Sequence, residues 1–177
     1  MKTGLMVLVI SLVASACGLA DTSATDPDAG PTSEMMAAAL AELVAHDHTF
    51  GQGPPPFTEY LIQTRIDPSA GTPTGLTGGT ARSLTDIERS AIEEAVEAFG
   101  PVRWIDDPAE WRTPDLAPTV EGSVILGVGE PVVDGNTGLV PVSLWCSGVC
   151  GTWLTYRLDL VDGTWSVTDI EGPVAVS

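Results

Sequence analysis

The stretch Leu139-Val140-Pro141-Val142-Ser143-Leu144-Trp145-Cys146, continued after Ser147-Gly148-Val149 by Cys150-Gly151-Thr152-Trp153-Leu154-Thr155-Tyr156-Arg157-Leu158-Asp159-Leu160, decides how this chain folds. Val140, Val142, Leu144 and Cys146 alternate with Leu139, Pro141, Ser143 and Trp145, the period-two mark of a half-buried strand. The alternation resumes at Cys150 and carries Thr152, Leu154, Tyr156, Leu158 and Leu160 on one side. Asp162-Gly163 is a two-residue hairpin signal, with Trp165 and Val167 beyond it. A three-residue loop at 147–149 sets Cys146 against Cys150, Leu144 against Thr152, Val142 against Leu154 and Val140 against Tyr156. The second turn sets Leu160 against Trp165 and Leu158 against Val167. Both hairpins put one apolar set on one face, which a one-residue slip would destroy, so 139–170 reads as an antiparallel meander.

Working outward, Ser123 to Val133 reads as a strand weakened by Gly127, Gly129 and Pro131, hence an edge or bulged strand. Asp134-Gly135-Asn136 turns it back into the meander. Tyr60 to Ile66 alternates as a strand, and Val102 to Ile105 is a short one, followed by an irregular segment to Pro118. Two helices are expected. Ser33 can cap one running from Glu34 to about Asp47, with Met36, Leu40, Leu43 and Val44 on one face. The other spans Ser83 to Phe99, with a Thr85/Glu88 capping box, an apolar stripe of Ile87, Ala91, Ala95, Val96 and Phe99, and a solvated face of Glu93, Glu94 and Glu97. Gly100-Pro101 stops it. This order predicts an α+β domain: a curved antiparallel sheet of about four to six strands with two helices packed on one face. A cystatin-like or nuclear-transport-factor-like cone fits by analogy of fold. The tail after Ile170 gives no clear signal.

The N-terminus reads as an export signal. Lys2 supplies a positive n-region, Leu5 to Val13 an apolar run too short to span a bilayer, and Ala14-Ser15-Ala16 the small residues before a cut. Val13-Ala14-Ser15-Ala16-Cys17 resembles the lipobox of bacterial lipoproteins, in which the cysteine carries acyl chains such as palmitate and becomes the mature N-terminus. That resemblance implies a signal peptide at 1–16 and a lipidated Cys17; Gly18 to Thr32, rich in Ala, Asp, Ser, Thr, Gly and Pro with no apolar period, reads as a flexible acidic tether, and residues 33–177 as one α+β domain. The resemblance also implies export and anchoring to the outer face of the cytoplasmic membrane, several acyl chains giving the stable attachment a single chain cannot.

Charge narrows the partners. The chain carries 24 acidic residues against seven Lys and Arg, and Lys2 is the only lysine, so the part from residue 17 onward has a net charge near −18. Such a surface repels nucleic acid and anionic headgroups, so no nucleic-acid partner is expected. Without a second lysine there is no P-loop, Schiff base or Ser-x-x-Lys nucleophile. No cofactor is implied.

Once Cys17 is acylated, Cys146 and Cys150 remain as a pair in an oxidising compartment, and opposed positions of an antiparallel ladder lie within disulfide reach. A thiol redox role is the sharper alternative, but neither cysteine sits at a helix N-terminus or beside an evident base. His46 and His48, flanking Asp47, invite a metal or acid/base reading; no spacing places a third ligand, and histidines at a helix C-terminus complement its dipole. Asp106, Asp107 and Glu110 lack calcium-ligand spacing, and Gly75, Gly78 and Gly79 lack a phosphate-loop context. On the outer face of the meander Trp145 and Trp153 lie diagonally adjacent, beside Leu139 and Val161. Exposed, they would form a binding patch; otherwise another layer of the domain covers them.

Tyr60-Leu61-Ile62, Phe99-Gly100-Pro101-Val102-Arg103-Trp104 and Leu144-Trp145-Cys146-Ser147-Gly148-Val149-Cys150-Gly151 with the Asp162-Gly163-Thr164-Trp165 hairpin together resemble a group of uncharacterised secreted or lipid-anchored bacterial proteins, many actinobacterial. The likeness spans residues 58–170 and implies an envelope protein without a transferable catalytic residue. The function expected is a non-catalytic envelope lipoprotein that binds or assembles with an envelope partner. The alternatives are a small extracytoplasmic hydrolase or ligand-binding protein using a pocket at the open end of the sheet, and a redox protein acting through Cys146 and Cys150.

Overall fold

The computed structural model describes residues 29–51, 53–73 and 81–177. The leader 1–16, Cys17, most of the tether and Gly75, Gly78 and Gly79 lie outside the described residues. Among the described residues no helix is long and apolar enough to cross a membrane.

The meander consists of β5 (Thr137–Ser147), β6 (Cys150–Val161) and β7 (Thr164–Val176). Leu144 faces Thr152, Val142 faces Leu154, Val140 faces Tyr156, Leu160 faces Trp165 and Leu158 faces Val167, the register expected from the alternation. The tip differs. The ladder shifts between Trp145 and Ser147, so Ser147 rather than Cys146 pairs with Cys150, and Cys146 takes the bulge. Gly148-Val149 is then a two-residue turn, the length most compatible with the strands' twist. β7 also runs on past Ile170 to Val176, with register shifts that accommodate Gly172-Pro173 on an edge.

Upstream come α1 (Ala29–Ala45), β1 (Glu59–Gln63), α2 (Asp86–Glu97), β2 (Val102–Ile105), a 3-10 turn at Pro108–Trp111, β3 (Ser123–Val128) and β4 (Val132–Asp134). The fold is α+β with two helices on one face of an open, curved sheet in the order β2-β1-β3-β5-β6-β7, β4 pairing with β5 off this path. The sheet has seven strands and is mixed: β1 pairs parallel with both β2 and β3. A helix inserted between β1 and β2 makes a crossover connection, and crossovers give parallel neighbours where tight turns give antiparallel ones.

β3 is an inner strand, buried along its whole length, not the edge its glycines suggested. A Cβ on Gly127 would stand 2.5 Å from both Asp67 Oδ2 and Ser143 Oγ. That glycine admits the loop after β1, in which Asp67 accepts from Ser143 (2.9 Å) and from the Ser69 amide (2.8 Å) and hydroxyl (2.6 Å). A glycine in a strand marks close approach of other groups as readily as a weak edge.

The core lies between the helices and one sheet face: Met35, Met36, Leu40, Leu43 and Val44 of α1, Ile92 and Val96 of α2, and Tyr60, Ile62, Val124, Leu126, Val140, Val142, Leu144, Leu154, Tyr156 and Leu158 of the strands. α1 begins inside the expected tether, and Ser33 does not cap it: its hydroxyl bonds back to the Gly30 carbonyl (2.8 Å) within the helix. The alanine-rich run carries the helix through the serine. α2 has the expected capping box at Thr85 and Glu88, but its buried face is Glu88, Ile92 and Val96, with Ile87 47 % exposed. Arg82, reaching from the preceding loop, bonds both Glu88 oxygens (2.7 and 2.8 Å) and also holds Glu130 (2.9 Å). Paired in this way a carboxylate can face the core. Glu93 accepts from the Trp104 indole (3.0 Å) and is half-buried, so only Glu94 and Glu97 match the expected solvated face.

Candidate functional site at the open end of the sheet

α1 crosses the sheet lengthwise. Met35 lies against Gly138 and Trp165 near its start, and Asp47, just past its end, reaches Thr152 and Tyr156. The end of α1, the β5–β6 turn and the last residues of β7 therefore meet at one end of the sheet, and three clefts open there. The first, about 260 Å³, is lined by His46, Asp47, Thr152, Leu154, Ile170 and Val174. The second, about 460 Å³, lies between Phe50, Phe57, Pro118 and Cys146. The third, about 490 Å³, lies between Phe50, Val149, Cys150 and Val176. Phe50 and Cys146 border the last two, while Thr49 and Val176 border the first and third. Phe50, Val149 and Val176 are exposed around them at 54, 85 and 64 %.

The disulfide Cys146–Cys150 clamps the turn between these clefts, with Cα atoms 5.2 Å apart. Thr49 brings its hydroxyl to 3.9 Å from Cys150 Sγ, tying the loop after α1 to the turn. That loop is ordered from within by His48, which is buried. Its Nδ1 accepts from the Phe50 amide (3.3 Å), which leaves Nε2 to donate to the Gly53 carbonyl (3.2 Å). The ring packs with Phe50 and Phe57, and Phe57 in turn meets Tyr60 edge-on, an aromatic run from surface to core. His46 sits on the other side, exposed, with Nδ1 3.0 Å from Glu42. The two histidines thus serve different contacts. Among the described residues no three His, Cys, Asp or Glu side chains converge as a metal site.

Asp47 is the most constrained acid of the site. Its Oδ2 accepts from the Tyr156 hydroxyl at 2.5 Å, and its carbonyl accepts from the Thr152 hydroxyl at 3.2 Å. Burial, then the hydrogen bond to the Asp47 carboxylate, pushes the Tyr156 phenol above its ordinary value. Tyr60 is pushed up to about 12 by burial, and its hydroxyl has no hydrogen-bond partner among the described residues.

Trp145 and Trp153 occupy the opposite face. Arg103, Leu61, Ile125, Trp145 and Gly151 stand side by side on β2, β1, β3, β5 and β6. Leu61, Ile105 and Ile125 form a small second core there, with Trp111 and Trp145 packed on it. The segment following the 3-10 turn roofs it: Arg112 stacks 4.2 Å from the Trp145 ring, and Arg103 lies 5.4 Å from Trp111. Trp145 is half-buried, and so is Trp153, whose ring would meet a Cβ on Gly151 at 2.5 Å.

Val174 and Val176 escaped the sequence reading because Gly172-Pro173 interrupts the tail. The alternation Ile170, Val174, Val176 was the signal available. Phe50 sat in a loop with no period to flag it.

Comparison with known protein families, with curated proteins and with solved structures finds no match in any of the three.

Proposed function

We propose that the protein is an exported lipoprotein, held at the outer face of the cytoplasmic membrane through an acylated Cys17, and that it is a non-catalytic module binding an envelope partner at the open end of its sheet. One observation carries this: three adjoining clefts rimmed by Phe50, Val149 and Val176 around a disulfide-clamped turn. Apolar side chains grouped in this manner mark interaction sites more often than singly scattered ones do.

The histidines offer no hydrolytic pair, since His48 spends both nitrogens on backbone and His46 faces Glu42.

The test is site-specific photocrosslinking in native membranes, with the photoreactive residue at Phe50, Val149 or, as control, Val161, which is exposed at the other end of β6. Discrete adducts at positions 50 and 149 and none at 161 are expected. Equal labelling at all three, or none, refutes the docking role; a mature protein lacking fatty acid at Cys17 refutes the anchor.

A further inference from the structure

The cleft at the end of α1 differs in chemistry from its two neighbours. Its apolar side is Leu154, Ile170, Val174 and Val176, and its polar side is His46, Asp47, Thr49 and Thr152. Tyr156 and Thr152 fix Asp47 from two directions, one at Oδ2 and one at the backbone carbonyl. Among the described residues nothing bonds Oδ1. Three sources of negative potential meet at this spot: the carboxylate, the carbonyl end of a 17-residue helix with no basic residue in its last turn, and the net charge of the chain. No arginine lines the cleft, and His46 on its rim is engaged with Glu42.

We propose that this cleft binds a primary ammonium group carried on a short aliphatic stem; the inference rests on reading the open end as a binding surface and names what one part of it takes. Three alternatives fit worse. A hard metal ion needs several oxygen ligands, and here one carboxylate faces a wall of valine, leucine and isoleucine. A guanidinium is best met by two free carboxylate oxygens, and Tyr156 already occupies one. A neutral apolar ligand would strand Oδ1 in a drier site, which costs more than leaving it in water. An ammonium is a compact charge with three donors, so it can serve Oδ1 and a threonine hydroxyl oxygen of Thr49 or Thr152 together while its methylenes lie on Leu154 and Val174. A volume of about 260 Å³ suits one small ligand or one inserted side chain.

The same ammonium and stem occur in a free alkylamine and in a lysine side chain presented by a partner. The experiment titrates the full chain calorimetrically with pentylammonium, with N-acetyl-lysine methylamide, and with 1-pentanol as the uncharged analogue. Pentylammonium is expected to bind at least tenfold more tightly than pentanol, with affinity falling as salt rises. Comparable binding of the lysine derivative assigns the site to a partner's side chain, and its exclusion assigns it to a free amine; either outcome supports the site. Asp47→Asn should lose at least tenfold for the ammonium and nothing for pentanol. Because Asp47 also holds Tyr156, Val174→Arg gives a second reading: it places the chain's own cation on a half-exposed edge position and should block the ammonium in a protein that still melts like wild type. Equal binding of amine and alcohol, or unchanged ammonium affinity in both variants, overturns the proposal. Crosslinking at Phe50 separates the two readings: adducts without amine binding sink only the ammonium site, and amine binding without adducts sinks only the partner.

Discussion

Glu88→Gln tests how this fold carries a buried carboxylate. Glu88 is 2 % exposed, and its Oε2 accepts from the Thr85 amide (2.7 Å), the Thr85 hydroxyl (3.0 Å) and Arg82 Nη1 (2.8 Å), while Oε1 accepts from Arg82 Nη2 (2.7 Å). A glutamine has one oxygen. Placed at the Oε2 position it keeps the capping box and one bond to Arg82, and its amide then confronts Arg82 Nη2, donor against donor. Losing one charge-assisted hydrogen bond and pointing two donors at each other should cost about 2–3 kcal/mol. Complete truncation to alanine should cost about 3–5 kcal/mol, as for a buried pair broken on one side, lowered where Glu130 still holds Arg82. Burial alone would push the Glu88 carboxyl up; the Arg82 and Thr85 hydrogen bonds outweigh it and hold the group below the usual range. A depressed folded value means the unfolded chain takes up the proton first, so this stabilisation is present above about pH 4.5 and is lost as pH falls through the folded value. Urea unfolding of wild type and Glu88→Gln at pH 7 and at pH 2.5 measures both effects. A gap of a few kcal/mol that narrows in acid is expected. A gap below about 0.5 kcal/mol at pH 7, or one unchanged by acid, refutes the reasoning.

Three other outcomes are checkable. Gly127→Ala should destabilise by about 2–3 kcal/mol through overpacking against Asp67 and Ser143, and an unchanged denaturation midpoint would contradict the contact. The only tyrosines, Tyr60 and Tyr156, are both raised, so absorbance at 295 nm should show no ionisation near pH 10 while the protein is folded. Stability should fall from pH 10 upward, because the unfolded chain releases its phenolic protons there and the folded chain does not; a native-state step at pH 10 would refute the burial. Replacing Cys146 and Cys150 together by serine closes off a bridge of separation four and should cost about 2 kcal/mol in the chain-entropy account, leaving a cooperative melt. Loss of folding on that change would give the bridge a larger part than the turn.

Register was the most legible property of the sequence. Val140, Val142, Leu144, Leu154, Tyr156 and Leu158 share one face, and only one pairing of the two hairpins puts them all inside. The capping box was legible for a similar reason: both partners lie within four residues. What stayed hidden depends on residues distant in the chain. The parallel placement of β1 is decided by β2 and β3 together, and no local period reports it. The burial of Glu88 shows only once Arg82, itself held by Glu130, is seen to bond both its carboxylate oxygens. Of the site, Asp47 and the cysteine pair stood out by residue type, whereas Phe50, Val174 and Val176 acquire meaning only when the chain ends of three elements converge.

The mixed sheet has a kinetic corollary. The meander can zip from its two tight turns, each strand finding a neighbour adjacent in the chain, so little loop-closure entropy opposes it. β1 cannot dock until α2, β2 and the long return to β3 have all been threaded around it. The rate-limiting barrier should therefore fall at that docking, with Leu154→Ala giving the higher φ-value and Leu61→Ala a lower, fractional one if the meander is formed first.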